Sequence, residues 1–338
     1  MTRLHFCLAL SVFVLFITGR AVALAGDTPA VSVVRVLDDA GAPLLGRVVI
    51  TRYGQAQPDM YVAFTDAAGA CSLSEVPPGP ARVEVFCGSE WQVVGRDVVV
   101  VRDGGELPVM THRLFDLRAR GYYEGDGHMH STYSDGAQRP AEVAHHCRCE
   151  GLSWAFLTDH DTLAGHAEFM AAATGGFLPM GGQEITTSKG HILGLGVTSL
   201  VSRDVSHGAE DMARIFREVH AQGGVVVVAH PTTPGMSYQF WEVEGYDALE
   251  ILNGSLPPYG WLFERLQGRG KWLQLLAAGK RIAALGNSDN HDNYSRFAQE
   301  VLRDPQDALK RQPALALLWN LPERDTLLVP WAKKGLHL

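Results

Sequence analysis

The chain has 338 residues, which is enough for two domains that each bury a core. Apolar residues make up 46% of the sequence and charged residues 20%, a composition that excludes a disordered or collagen-like chain. The net charge is −8 and basic residues form no runs, so we do not expect a nucleic-acid partner.

The first 25 residues predict an export signal. Arg3 gives a basic start, residues 8–17 form an apolar run, and residues 23–25 read as a small-x-small cleavage site. A membrane anchor is the alternative, but the run is only about half of the ~20 residues that a spanning helix needs. We therefore expect residues 1–25 to be a signal peptide, and the mature protein to be periplasmic or secreted with no stable membrane anchor.

Residues 30–117 predict a small all-β sandwich, because short Val-rich runs alternate with turn signals. The runs are residues 31–36, 46–52, 61–65, 71–76, 81–86 and 98–102. The pattern D-x-x-G-x-P-L-x-G, followed by T-D-x-x-G, resembles the carboxypeptidase regulatory-like, transthyretin-type sandwich. No cluster of chemically reactive side chains falls in this region. We therefore interpret it as a scaffold or docking module for a partner that the sequence does not specify.

Four cysteines follow the expected cleavage site: Cys71, Cys87, Cys147 and Cys149. A Pro-Pro-Gly-Pro turn at residues 77–80 would place the runs on either side of it opposite each other, with Cys71 and Cys87 within disulfide range. Two buried thiols fit the same pattern. The sequence leaves a disulfide and two free thiols as equal alternatives.

From about residue 120, the chain predicts an α/β domain that extends to residue 338. Apolar runs typical of buried parallel strands cover residues 154–158, 190–196, 225–229, 248–252 and 282–286. Helical stretches between them cover residues 140–150, 209–222 and 261–278. This alternation indicates a parallel barrel or a doubly wound sheet.

Polar residues cluster at the ends of these predicted strands, where the ligands of barrel enzymes gather. His128-x-His130 on an extended segment directs both imidazoles to the same side. Imidazole and carboxylate ligands together favour Zn, Fe or Mn. The candidate ligands are six histidines and three carboxylates: His128, His130, Asp135, His160, Glu184, His191, His230, Asp289 and His291.

The ordered motifs H-x-H-x-x-x-x-D, D-H-D, a lone Glu, A-H-P and N-S-D-x-H resemble the PHP (polymerase and histidinol phosphatase) superfamily. The forms G-H-x-L-G-L-G and G-N-S-D-N-H resemble its exported branch of carbaryl-hydrolase-type enzymes. The resemblance spans residues 120 to about 295. It implies a distorted seven-stranded β/α barrel that holds two or three divalent ions.

The resemblance also implies how the ligands divide among the ions. The first ion would take His128, His130, Glu184 and Asp289, the second Glu184, His191 and His230, and the third Asp135, His160 and His291. Such a site predicts a metal-dependent hydrolase with a metal-bridging hydroxide as nucleophile. Glu184 would position the metal pair, and Asp161 or a nearby histidine would protonate the leaving group.

Charge favours a phosphoesterase acting on a small anionic substrate. Three divalent ions against three carboxylates leave an excess of positive charge, which a hydroxide and a phosphomonoester dianion would neutralise. A carbamate or aryl-ester hydrolase, which needs only two ions, is the alternative. A secreted binding protein without catalysis is a third possibility, disfavoured by the complete ligand set.

Overall fold

The computed structural model describes residues 28–54, 59–254 and 267–291. The expected signal peptide lies outside the described residues and stays a prediction. The predicted helix over residues 261–278 is described only from residue 267 onward. Within the described residues, no helix has the length and apolar character needed to cross a membrane.

The first part of the described chain is a seven-stranded sheet without α-helices. Its strands pair in the order β3-β2-β5-β6-β1-β4, and β7 also pairs with β1. Buried positions alternate along β5, as expected where one strand face packs on a core. The core is mainly valine, including Val34, Val48 and Val83. The strands are β1 (Ala30–Leu37), β2 (Arg47–Arg52), β3 (Asp59–Phe64), β4 (Ala70–Ser72), β5 (Gly79–Phe86), β6 (Val94–Val100) and β7 (Gly105–Met110).

The pairing of these strands corrects the basis of the disulfide hypothesis. β4, which carries Cys71, pairs with β1, whereas β5, which ends just before Cys87, pairs with β2 and β6. The proline turn therefore joins strands that are not neighbours, and Cys71 and Cys87 are both buried free thiols. Strand β7 was not expected from the sequence. Pro108 interrupts its apolar pattern, and β7 tolerates a proline because, among the described strands, it pairs only with β1.

The second part of the described chain is a mixed sheet of seven strands that pair in the order β14-β13-β12-β11-β10-β9-β8. The strands are β8 (Gly125–Asp126), β9 (Trp154–Leu157), β10 (Leu178–Thr187), β11 (Gly190–Leu195), β12 (Val225–Ala229), β13 (Ala248–Asn253) and β14 (Ala283–Asn287). The helices are α1 (Pro140–Cys149), α2 (His166–Met170), α3 (Ala209–Ala221) and α4 (Arg269–Ala277).

Strand β11 corrects the expectation of an all-parallel sheet. It runs antiparallel to both β10 and β12, whereas the pairs β8–β9, β9–β10, β12–β13 and β13–β14 are parallel. The reason is a tight connection between β10 and β11, where Gly190 adopts a φ of +110°. So short a connection can join only antiparallel strands.

The two end strands of this sheet approach each other, so the sheet forms a nearly closed, barrel-like shape. The chain just beyond β8 meets the chain just beyond β14 through a bridge between Met129 and Asn290. The His130 amide donates to the Asn290 carbonyl at 2.9 Å. This contact brings the histidines that follow β8 next to the polar residues that follow β14.

Helix α1 packs against the all-β part. The Arg47 guanidinium, which is 1% exposed, lies 2.8 Å from the Glu150 carboxylate. The rings of Phe64 and His146 stack with their centroids 3.6 Å apart. These contacts connect the two parts of the chain. The domain boundaries, and the sandwich form of the first part, remain predictions.

Candidate metal centre

All nine expected ligands lie in one region of the barrel, and each comes from a strand or from the loop after it. Six of the seven strands take part. His128, His130 and Asp135 follow β8, His160 follows β9, Glu184 lies in β10, His191 in β11, His230 follows β12, and Asp289 and His291 follow β14. The structure thus brings together residues that are up to 163 positions apart in the sequence.

Glu184 lies at the centre of this cluster and is fully buried. Its Oε2 atom is 3.0 Å from His128 Nε2 and 3.1 Å from His130 Nε2. Its Oε1 atom is 2.7 Å from His191 Nδ1 and 3.0 Å from His230 Nε2. The two oxygens of one carboxylate therefore face two different histidine pairs, which is the arrangement of a carboxylate that can bridge two ions.

The first expected group fits a metal ion. Ligand atoms of His128, His130, Glu184 and Asp289 all lie within 4.8 Å of one another, and all four residues are buried. His130 Nε2 and Asp289 Oδ1 are 3.0 Å apart, yet neither makes a hydrogen bond of acceptable geometry with any described residue. Buried polar atoms without hydrogen bonds are costly, and a cation held between them would satisfy both.

The other two groups differ in detail from the expected division. His160 Nδ1 lies 3.1 Å from Glu184 Oε2, so His160 groups with Glu184 and His191 as well as with the third set. His130 joins Asp135, His160 and His291 in that third set. The three expected groups therefore share side chains and form one continuous cluster.

Exposure increases across the cluster. The side chains of His128 and His130 are fully buried, His291 is 14% exposed, His160 is 23% exposed and Asp135 is 58% exposed. Gly136 lets the loop that carries Asp135 pass close to the backbone of His130, because a Cβ atom there would lie 2.6 Å from the His130 carbonyl. The cluster is therefore most accessible to solvent on the side of Asp135.

Opposite charges stabilise the cluster when no ion is bound. Burial alone would raise the pKa of Glu184 and of Asp289. The charge of His128 and contacts with the other nearby histidines instead hold the pKa of both carboxyl groups well below the ordinary range. Burial lowers the pKa of His130, but the nearby carboxylates of Asp289 and Glu184 raise it to about 9. Metal binding at neutral pH must therefore displace protons from histidines.

Three residues of the site adopt left-handed backbone conformations. Asp161, His230 and Asp289 have φ values of 51°, 24° and 50°, and they are the only residues other than glycine with positive φ in the described part of the chain. Such conformations cost about 1–3 kcal/mol each, and they concentrate where the surrounding structure fixes a functional side chain.

Asp161, the expected acid, uses both carboxylate oxygens as acceptors. Oδ1 accepts from the Thr186 amide at 3.2 Å, and Oδ2 accepts from Arg203 Nη1 at 2.9 Å. This geometry favours a positioning role for Asp161, and its role as acid stays a prediction. The sequence alone did not identify Arg203, which lies in a loop without any motif.

The residue that orients a ligand imidazole is Glu250, which sequence reasoning missed. Asp126 and Asp159 flank ligands in the sequence, and this position predicts that they bind the free N–H groups of the histidines. In the structure, Asp126 instead accepts from the His128 and Ser288 amides, and Asp159 accepts from Ser131. Glu250 Oε1 instead lies 2.9 Å from His128 Nδ1. A charged residue in the middle of the apolar run 248–252 was the available signal.

Comparisons with known proteins give partial similarities. No family model matches the chain. A stretch of 77 residues is 42% identical to a 3',5'-nucleoside bisphosphate phosphatase from Chromobacterium violaceum, covering 21% of this chain and 27% of that protein. A stretch of 75 residues is 43% identical to a 5'-3' exoribonuclease from Haemophilus influenzae, again covering 21% and 27%.

Among solved structures, one similar protein is a two-domain protein from Bacteroides vulgatus, described as containing a "predicted PHP-like metal-dependent phosphoesterase". It has a TM-score of 0.40 and 22% identity, and the match covers 50% of this chain and 52% of that one. The chain spans about a quarter of the length of the two curated relatives. The names of these two curated relatives describe enzymes that cleave phosphoester bonds.

Proposed function

We propose that this chain is an exported, metal-dependent phosphoesterase of the PHP superfamily. The observation that carries the proposal is the two-sided environment of Glu184, whose Oε2 faces His128 and His130 while Oε1 faces His191 and His230. A buried carboxylate between two histidine pairs is suited to hold two divalent ions close together.

The nine clustered residues would hold two or three ions of Zn, Mn or Fe. Bound ions of this kind lower the pKa of water toward neutrality and stabilise negative charge that develops in the transition state. The protein contributes the fixed geometry. His128, His130 and Asp289 would hold one ion against Glu184 Oε2, and His191 and His230 would hold another against Oε1.

Three features support an anionic phosphoester as the substrate. The group of Asp135, His160 and His291 lies on the more exposed side of the cluster, where a third ion would face the substrate. Asp161, the last residue of the D-H-D motif, holds Arg203, whose side chain is 64% exposed, so Arg203 can contact an anionic group. The two curated relatives also carry names of phosphoester-cleaving enzymes.

A single variant separates this proposal from carbamate or aryl-ester hydrolysis. His291→Ala removes a ligand from the third group and leaves the residues around Glu184 in place. Phosphomonoester turnover should fall by several orders of magnitude, because an ion acting as a Lewis acid contributes several kcal/mol to the transition state. Turnover of a neutral aryl carbamate should change much less.

The matched control is His220→Ala, which removes a half-exposed histidine on α3 that bonds Asp247 far from the cluster. Metal content is measured on the same samples. Wild-type protein that cleaves aryl carbamates or esters but no phosphoester, with that activity kept in His291→Ala, would show that the hydrolase acts on neutral esters instead.

A further inference from the structure

We infer that Glu250 is a positioning residue that couples the two sides of the metal centre, an inference that rests on the proposed metal-dependent function. Glu250 lies in β13 and is fully buried. It is not a member of any of the metal-binding groups in the described residues. Its carboxylate instead contacts one ligand from each of the two histidine pairs that face Glu184.

Both oxygens of Glu250 are saturated with donors. Oε1 lies 2.9 Å from His128 Nδ1 and accepts from Asn287 Nδ2 at 2.7 Å. Oε2 accepts from the His230 amide at 2.7 Å and from Asn253 Nδ2 at 2.9 Å. The amide and side-chain donors favour the ionised carboxylate, since a protonated oxygen could not accept from every neighbour.

An ionised Oε1 determines which nitrogen of His128 carries the proton. His128 Nδ1 must donate to Glu250, so the proton that an ion would displace is the one on Nε2, which faces Glu184 Oε2, 3.0 Å away, and Asp289 Oδ1, 3.2 Å away. That is the side on which an ion would bind. A carboxylate behind a ligand histidine fixes its tautomer and makes it a stronger ligand.

The second oxygen acts on the other side of the centre. It holds the amide of His230, whose φ of 24° is an unfavourable conformation that needs fixing by its surroundings. The ring of His230 then reaches Glu184 Oε1 at 3.0 Å. A register shift in the pairing of β13 with β14, between Glu250 and Leu252, accompanies this placement. Such irregularities redirect side chains next to active sites.

The inference predicts in which order two Glu250 variants rank in zinc affinity, and a packing role for Glu250 predicts the opposite order. Glu250→Gln keeps the shape of the side chain but replaces one acceptor oxygen by an NH2 group. Either His128 Nδ1 or the His230 amide then loses its hydrogen-bond acceptor. Glu250→Asp keeps the charge and both acceptors on a shorter side chain. We expect affinity to fall in the order wild type, Asp, Gln, with about a 10- to 100-fold loss for Gln. If shape alone mattered, Gln would bind more tightly than Asp.

Zinc affinity is measured by competition with a chelator on full-length protein, and Glu150→Gln is the control. Glu150 is also buried and charged, but it pairs with Arg47 at the contact with the all-β part. The control should bind zinc as the wild type does. Equal affinity in Glu250→Gln and wild type would overturn the coupling role and leave the metal centre intact, whereas a wild type that binds no zinc would overturn the proposed function too.

A second measurement uses the wild-type protein and does not depend on the variants folding. In zinc-loaded protein labelled with 15N-histidine, NMR should show the His128 proton on Nδ1, in a strong hydrogen bond protected from exchange. A proton on Nε2 of His128 would contradict the inference whatever the variants show.

Discussion

Arg203 Nη1 lies 2.9 Å from Asp161 Oδ2, next to the candidate metal ligand His160. The Asp161 amide also donates to the Glu184 carbonyl at 3.0 Å, so the ion pair is attached to the strand that carries the central carboxylate. The guanidinium is therefore fixed at the edge of the metal centre while most of its surface faces solvent.

Replacing Arg203 by Gln should weaken substrate binding without affecting the metal. We expect KM for a phosphomonoester to rise about tenfold, equivalent to about 1.4 kcal/mol of lost binding, with metal content unchanged. Arg217→Gln, an exposed arginine on α3, is the control. Steady-state kinetics on both variants test this expectation, and an unchanged KM would exclude a substrate contact by Arg203.

Asp161→Asn separates the two roles of Asp161. If Asp161 positions Arg203, the variant should resemble Arg203→Gln and mainly raise KM. If it is the acid that protonates the leaving group, kcat should fall strongly, and the loss should be smaller for substrates with good leaving groups. Comparing phosphate esters with leaving groups of different pKa distinguishes these outcomes.

Glu184→Gln should lower metal content and activity together. The amide nitrogen cannot bind an ion, and it would face a histidine pair on one side of the residue. Metal content by mass spectrometry and turnover are measured on one sample. Full metal occupancy with normal turnover would contradict the bridging role.

His146 should make folding sensitive to acid. Burial, with the nearby charge of His145, lowers the pKa of His146 to about 3 from an ordinary value of 6.5. Between these values the unfolded chain binds a proton that the folded chain does not, so stability is present above pH 6.5 and is lost as pH falls toward 3. At pH 5 the loss from this group is about 2 kcal/mol.

His146→Phe should remove this part of the pH dependence while keeping an aromatic ring against Phe64. Urea unfolding of wild type and variant at pH 7.5 and pH 5.0 gives the difference directly. Because all other titratable groups are the same in both proteins, their contributions cancel. The same pH dependence in both proteins would mean that His146 titrates alike in the folded and unfolded states.

Export predicts that residues 1–25 are missing from the mature protein. N-terminal sequencing of protein from the periplasmic or secreted fraction should begin at about Gly26. Exported protein that begins at Met1 would rule out cleavage.

The sequence was sufficient to find the residues of the cluster but not their division into groups. His128, Glu184 and Asp289 stand in recognisable local patterns at predicted strand ends, and such patterns can be identified without knowledge of the fold. The sharing of His130 and His160 between groups depends on distances across strands, which spacing along the chain does not contain.

Other features depended on long-range pairing in the same way. The predicted contact of Cys71 with Cys87 assumed that consecutive strands pair, and the actual neighbours are set by the whole sheet. The direction of β11 depends on a connection of two residues after Thr187. Motif reasoning could not identify Glu250, because its partners His128 and Asn287 are 122 and 37 positions away and only folding brings them together.

The most direct test of the central claim is phosphate release measured on one preparation of the protein, first as purified, then after chelation, and then after Zn²⁺ or Mn²⁺ is restored. The account predicts release from a phosphomonoester that disappears on chelation and returns with at least two ions bound per chain. Phosphate release that is indifferent to chelation, or no release with any of these metals bound, would contradict it.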